Sequence, residues 1–167
     1  MEIGFSLGSN MYNRKRLLMQ AKNLLSTAPR THFLTQSPIY ETTPQEVSNP
    51  DEHQPFLNAI VLFESDLPLQ SWLSYIGKIE KNLGRIRTET PNEPRPIDID
   101  IIYADDQVLE EPQLHIPHPR WAERRFVVQP LCDIRPQLVL PDVRRSTQDI
   151  LRTLPPDEAM HLFEKRW

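Results

Sequence analysis

Glycine and cysteine are scarce in this chain, with four glycines and one cysteine among 167 residues. Neither G-x-x-x-x-G-K-[ST] nor G-x-G-x-x-G occurs, so a P-loop kinase and a protein kinase are excluded. Any nucleotide must be held by something other than a glycine-rich cradle. With Cys132 alone, no intramolecular disulfide can form, which fits a reducing cytoplasm. Beside Leu131, that cysteine reads as a small buried hydrophobe rather than a nucleophile. No apolar run approaches the ~20 residues that a membrane helix needs. Mean hydropathy is −0.52. The start, Met1 to Gly4, has no basic n-region and no long apolar h-region, so neither a secretory signal nor a membrane partner is expected. An excess of basic charge is also lacking. The net charge is −4 and the pI about 5.7, whereas duplex-binding proteins carry a basic surplus. Nucleic acid is therefore not an expected partner.

What is present fits one domain over residues 1–167, with 38% hydrophobic and 25% charged residues. Seventeen prolines, spread through the second half rather than run together, punctuate a loop-rich chain. Arg85, Arg87, Arg95, Arg120, Arg124 and Arg125 crowd into one stretch of about forty residues. In an acidic protein, such a concentration suggests a small polyanion as ligand.

Glu2 to Leu7 reads as a strand, with Ile3, Phe5 and Leu7 on one face. Gly8-Ser9-Asn10 breaks it, and Asn13 caps a helix carrying Leu17, Leu18, Ala21, Leu24 and Leu25. Thr31 to Tyr40 predicts a second strand, and the polar stretch from Thr42 to Gln54 a functional loop. Phe56 to Glu64 predicts a buried strand. A helix follows from Leu69 to Leu83, with a stripe of Leu69, Leu73, Ile76, Ile79 and Leu83 and a stop at Gly84. Thr88 to Pro94 reads as loop, Ile97 to Tyr103 as strand, and Asp105-Asp106 as a turn. Pro117 to Phe126 is irregular or a short helix, Phe126 to Ile134 helical, and Leu138 to Leu140 extended. Ser146 caps a last helix running to Leu154. Strand, helix, strand, strand, helix, strand is the order of an α+β ferredoxin-like sandwich, a mainly antiparallel sheet flanked by helices.

The most informative segment is Arg95-Pro96-Ile97-Asp98-Ile99-Asp100-Ile101-Ile102. Aspartate is depleted in strands, yet two alternate here with isoleucines. Ile97, Ile99 and Ile101 then face a core, while Asp98 and Asp100 share the other face with Cβ atoms ~6.6 Å apart. Two metal ions in a phosphoryl-transfer site sit about 4 Å apart, so this pair can bracket two Mg²⁺, which prefer oxygen ligands. A bare D-x-D is more often a solvated strand face; the surrounding arginines favour the metal reading, because guanidinium forks match phosphate oxygens. His118 lies between Pro117 and Pro119, which fits a positioned side chain. His115 points the other way in so extended a stretch, so the two are not expected to share a zinc ion. Asn58, inside an apolar strand, needs partners and suits the edge of a heterocycle.

Together these motifs resemble the 6-hydroxymethyl-7,8-dihydropterin pyrophosphokinase family. The resemblance runs through Gly8-Ser9-Asn10, Tyr40-Glu41-Thr42, Phe56-Leu57-Asn58-Ala59, Ile79-Glu80, Gly84-Arg85-Ile86-Arg87, Arg95 to Asp100, Pro117-His118-Pro119-Arg120, Glu123-Arg124-Arg125-Phe126 and Pro130-Leu131. It implies an enzyme that moves diphosphate from ATP, its co-substrate, to the hydroxymethyl pterin in folate synthesis, with two Mg²⁺ and as a monomer. Asp98 and Asp100 would bridge the metals, and Arg95 and Arg124 would lie nearest the transferred group. Glu80, Arg85, Arg87, Arg95, Ile101, His118 and Arg124 would contact ATP. Thr42, Thr43, Pro44, Gln45, Phe56, Asn58, Asp98 and Phe126 would contact the pterin. The chain departs from the family pattern where Pro91-Asn92-Glu93 replaces a frequent Arg-Trp-Gly, and at Thr43 and Gln45-Glu46. Two other readings fit part of the pattern. A nucleotidyltransferase would release pyrophosphate instead of AMP. A ferredoxin-like RNA-binding module would want exposed aromatics and a basic surface.

Overall fold

The computed structural model describes residues 1–43, 54–86, 93–157 and 159–167. Among the described residues, eight strands and four helices follow in the order β1 (Glu2–Ser9), α1 (Arg14–Ser26), β2 (Thr31–Gln36), β3 (Ile39–Thr42), β4 (Phe56–Ser65), α2 (Leu69–Asn82), β5 (Asp98–Ala104), β6 (Leu109–Glu111), β7 (Leu114–Ile116), α3 (Arg125–Ile134), α4 (Thr147–Thr153) and β8 (His161–Glu164). A short 3₁₀ turn spans Trp121–Glu123. The main sheet runs β5-β1-β4-β3-β8, with β2 also paired to β4, and every pairing is antiparallel. β6 and β7 form a separate hairpin. The ferredoxin-like expectation holds. No helix among the described residues is long and apolar enough to cross a membrane.

The sheet is covered on both faces. Ile3, Phe5 and Leu7 of β1 and Ile99 and Ile101 of β5 pack with Leu18, Ala21 and Leu25 of α1 and Trp72, Ile76 and Ile79 of α2. On the opposite face, Ile60, Leu62, Ile102 and Tyr103 pack with Val127, Val128 and Leu131 of α3 and Ile150 of α4. This second layer covers only part of its face. The uncovered part, toward Asp98 and Asn58, becomes the floor of a cavity.

The structure revises several expectations. Thr31 to Tyr40 is not one strand, because Pro38 has no N–H to donate to the ladder. The Ser37 hydroxyl accepts from Ile60 N–H and its own N–H donates to Ile60 O, both at 2.9 Å, so the backbone groups of β4 stay paired across the gap. On α2, Trp72 rather than Leu73 is the fully buried member of the stripe. Its indole N–H donates to Ser65 Oγ at 3.2 Å, which makes burial of that polar tip tolerable. Cys132 is partly exposed rather than buried. The β6–β7 hairpin and β8 are too short to leave a clear sequence pattern.

The end of α2 matters most for the site. Gly84 adopts φ +89°, a left-handed conformation that side chains resist. Gly84 N–H donates to Lys81 O and Arg85 N–H to Glu80 O, closing the helix with a glycine-dependent reversal. That reversal turns Arg85 back toward β5. Nothing lies within 4 Å of a methyl built on Gly84, so a substitution there is opposed by backbone conformation alone. Gly84→Ala is expected to lower unfolding free energy by about 1 kcal/mol, measured by urea denaturation. An unchanged midpoint would show that the reversal is not needed.

Candidate active site

Residue alternation builds the floor. On β5, Asp98 and Asp100 fall on the face opposite Ile99 and Ile101. Across the ladder, Gly8 of β1 pairs with Asp98 and Ser6 with Asp100. Gly8 also pairs with Asn58 of β4, and Asn58 with Tyr40 of β3. Three strands therefore bring two carboxylates, a hydroxyl and a carboxamide onto one surface. The cavity of about 150 Å³ above it is lined by these groups, by Thr42, Thr43 and Phe56, and by Arg95, Arg120, Arg124 and Phe126. The two aspartates project into one arginine-lined space, as the alternating sequence predicts.

Both oxygens of Asp98 are engaged by arginines. Arg85 Nη1 bonds Asp98 Oδ1, and Arg95 Nε lies 2.8 Å from Asp98 Oδ2, a charge contact rather than an aligned hydrogen bond. Arg85 Nη1 also meets Glu80 Oε1 at 2.5 Å. Glu80, only 2% exposed, takes a further hydrogen bond from Ile99 N–H at 3.0 Å. It thus ties α2 to β5 and holds Arg85, standing behind the arginine rather than lining the cavity. Arg95 is placed through its backbone: its N–H donates to Asn10 Oδ1 at 2.8 Å, and Asn10 N–H donates to Arg95 O at 3.3 Å. The buried Asn10 gives Gly8-Ser9-Asn10 a role beyond ending β1. The Arg95 guanidinium sits 5.4 Å from the Phe56 ring centre and that of Arg124 5.7 Å from Phe126, so two cation–aromatic pairs line the same space.

Asn58 is nearly fully buried, and its Nδ2 donates to Thr42 Oγ1 at 2.8 Å. The Asn58 Oδ1 then lies on the Gly8 side, 3.4 Å from where a β-carbon of Gly8 would be. His118 N–H donates to Ile102 O at 2.8 Å, tying the Pro-His-Pro segment to β5. His118 Nδ1 accepts from Arg120 N–H at 3.1 Å, so the neutral ring carries its hydrogen on Nε2. Burial, with Arg124 and Arg120 nearby, holds the His118 pKa below its usual value.

Asp100 is the electrostatic outlier. Removal from water, reinforced by the charge of Asp98, pushes its carboxyl up to about 7, while Arg124 and Arg95 act against the rise. Such a group gains when a cation arrives beside it. Among the described residues no cluster of three or more His, Cys, Asp or Glu side chains is placed to hold a metal. The aspartate pair still fits magnesium, which takes one or two carboxylates and fills its remaining positions with water and substrate phosphates.

Nine residues singled out in the sequence line the cavity: Thr42, Thr43, Phe56, Asn58, Arg95, Asp98, Asp100, Arg124 and Phe126. Arg85 reaches it through Asp98. Ile101 does not line it; the side chain is packed in the core under α1 and α2 on the far side of the sheet. Pro44, Gln45 and Arg87 lie outside the described residues, as do Pro91 and Asn92. Ser6 is an addition, and Gly8 and Arg120, named from the sequence only within their motifs or the arginine stretch, also line the cavity. Register against Asp98 and Asp100 is the signal that finds Ser6 and Gly8, and a single chain read without its pairings hides it.

A family model described as 7,8-dihydro-6-hydroxymethylpterin-pyrophosphokinase (HPPK) matches residues 4–136. A 2-amino-4-hydroxy-6-hydroxymethyldihydropteridine pyrophosphokinase from Porphyromonas gingivalis is 40% identical over 136 residues, covering 80% of this chain and 90% of that protein. The protein of the same name from Pseudomonas aeruginosa is 32% identical over 139 residues, covering 83% of each. A crystal structure of Plasmodium falciparum HPPK-DHPS with pteroate superposes with a TM-score of 0.67 over 90% of this chain, at 14% identity. This chain spans 42% of that larger one, so the match there shows the fold alone. The chain belongs to the 7,8-dihydro-6-hydroxymethylpterin-pyrophosphokinase family, whose members transfer diphosphate from ATP to 6-hydroxymethyl-7,8-dihydropterin in folate synthesis.

Proposed function

We propose that the cavity between β1, β4, β5 and the start of α3 performs this transfer, with Asp98 and Asp100 holding two Mg²⁺. The observation that carries the reading is the shared placement of both carboxylates among Arg95, Arg120 and Arg124, with Asn58 and two phenylalanines on the same wall. The ions would align the polyphosphate and offset charge on its bridging and leaving oxygens. Arg95 and Arg124 stabilise charge that grows on the transferred group, and neutral His118 offers Nε2–H as a donor. Asn58 and the Thr42–Thr43 backbone read the polar edge of the pterin, while Phe56 and Phe126 supply its apolar walls. The hydroxymethyl oxygen bonds to the β-phosphorus, the bridging bond to the α-phosphate breaks, AMP leaves with that electron pair, and the hydroxyl proton is released. We take a monomer as the working unit, as the family resemblance implies. The net charge of −4 favours these small substrates over nucleic acid, and we place the reaction in the cytoplasm.

Incubation with Mg-ATP and the hydroxymethyl dihydropterin is expected to yield AMP; release of pyrophosphate would point to nucleotidyl transfer instead. Asp98→Ala and Asp100→Asn are expected to abolish turnover with the fold intact, and near-normal turnover in either would remove the metal assignment. Arg124→Ala should lower kcat by roughly 100-fold or more with a far smaller change in ATP affinity. A change confined to affinity would make it a ground-state contact.

Asp100 also sets a pH dependence. An acid whose folded pKa is raised binds more protons when folded than when unfolded, so it favours the fold at low pH. That support is lost as pH rises through about 7. At pH 8, without metal, Asp100→Asn is therefore expected to have a higher Tm than the parent protein. An equal or lower Tm in calorimetry would show that Asp100 is not strained by its ionised form.

A further inference from the structure

Ser6 stands apart from the groups whose roles are already assigned. Its side chain is only 9% exposed and lines the cavity, yet it makes no hydrogen bond to any other described residue. The residue is largely covered, and as a lining residue it is open to the cavity. It also carries the one side chain that this part of β1 contributes to the floor, because the neighbouring positions on that face are Gly4 and Gly8. A methyl at Gly4 would overlap the Tyr103 ring, which closes the floor at that end. At the other end, Gly8 leaves an open place between Asp98 and Asn58.

The partner of Ser6 across the ladder is Asp100. Directly opposed residues in an antiparallel pair have β-carbons about 5 Å apart. The hydroxyl and the carboxylate line the same cavity, so both face the space that an ion's hydration shell would fill. Magnesium keeps several of its waters when protein carboxylates hold it. Those waters are strong donors and need acceptors. Asp98 has both oxygens taken by Arg85 and Arg95, and the arginines around the cavity can only donate. Among the floor groups beside Asp100, the Ser6 hydroxyl is a neutral acceptor without a prior commitment.

We propose that Ser6 is a positioning residue of the cation site, its hydroxyl accepting a hydrogen bond from the hydration water of a divalent ion seated on Asp100. This rests on the metal role given above to Asp98 and Asp100. Ser6 touches neither the transferred group nor the pterin, and acts through the geometry of the ion. Removing such an outer contact weakens metal binding by about 10- to 100-fold.

The test is titration of Mn²⁺ by electron paramagnetic resonance, with a non-hydrolysable ATP analogue at a fixed saturating concentration. Ser6→Ala is expected to bind Mn²⁺ at least about 10-fold more weakly, with pterin affinity and Tm unchanged. Ser6→Thr, which keeps the hydroxyl and suits a strand, is expected to recover most of the loss. Overturning results are Mn²⁺ affinity in Ser6→Ala equal to the parent protein, or a fall in pterin affinity with the metal titration unmoved. If Ser6→Ala fails to fold, Ser6→Cys keeps the size with a poorer acceptor, and unaltered Mn²⁺ binding there overturns the proposal. Should the parent protein bind no Mn²⁺ at all, the metal reading of Asp98 and Asp100 fails first, a result distinct from the others.

Discussion

The two-residue repeat of β5 is the constraint from which the rest of the molecule follows. One short strand has to satisfy two environments at once. Ile99 and Ile101 must be dry under α1 and α2, and the same geometry then commits Asp98 and Asp100 to the opposite face. A slip of one residue would place both carboxylates in the apolar layer and both isoleucines in the cavity. Register is therefore fixed by a penalty on each side of the sheet. The neighbouring strand β1 repeats the logic, with Phe5 and Leu7 inward and Ser6 and Gly8 toward the aspartates.

The arginines then need to be brought to that face from elsewhere, and three different devices do so. Arg85 arrives through the left-handed turn at Gly84 and is held by Glu80, which is anchored to the backbone of Ile99. Arg95 arrives through backbone bonds to Asn10. Arg124 arrives at the head of α3, whose apolar face is pinned to the sheet by Val127, Val128 and Leu131. Helix stop, side-chain clamp and helix packing are independent, so each guanidinium has its own support while all meet at the same pair of carboxylates.

Much of this was legible in the sequence, because periodicity is a local property. The alternation from Ile97 to Ile102, the helix end at Gly84 and the caps at Asn13 and Ser146 all match the structure. What stayed hidden depends on partners distant along the chain. The break at Ser37-Pro38 is recognisable only once Ile60 is seen to pair with Ser37 on both sides. Trp72 is too large for a stripe read from leucine spacing, yet Ser65 gives its N–H a home. The resemblance gives Glu80 as an ATP contact, and its hold on Arg85 and on the Ile99 N–H emerges only once those groups are placed around it. Ile101 shows the opposite limit: its neighbour in sequence lines the cavity, and strand geometry sends its own side chain into the core.

The double engagement of Asp98 bears on selectivity among ions. With one guanidinium on each oxygen, a bare divalent cation meets a carboxylate whose charge is already answered. On the function proposed above, a polyphosphate would change the balance, since its oxygens would compete for the same two arginines as it brings the ion. Calcium or any other stray cation that comes alone has no such help. Arg85 and Arg95 thus screen Asp98, and in the proposed reaction the nucleotide would be what lifts that screen.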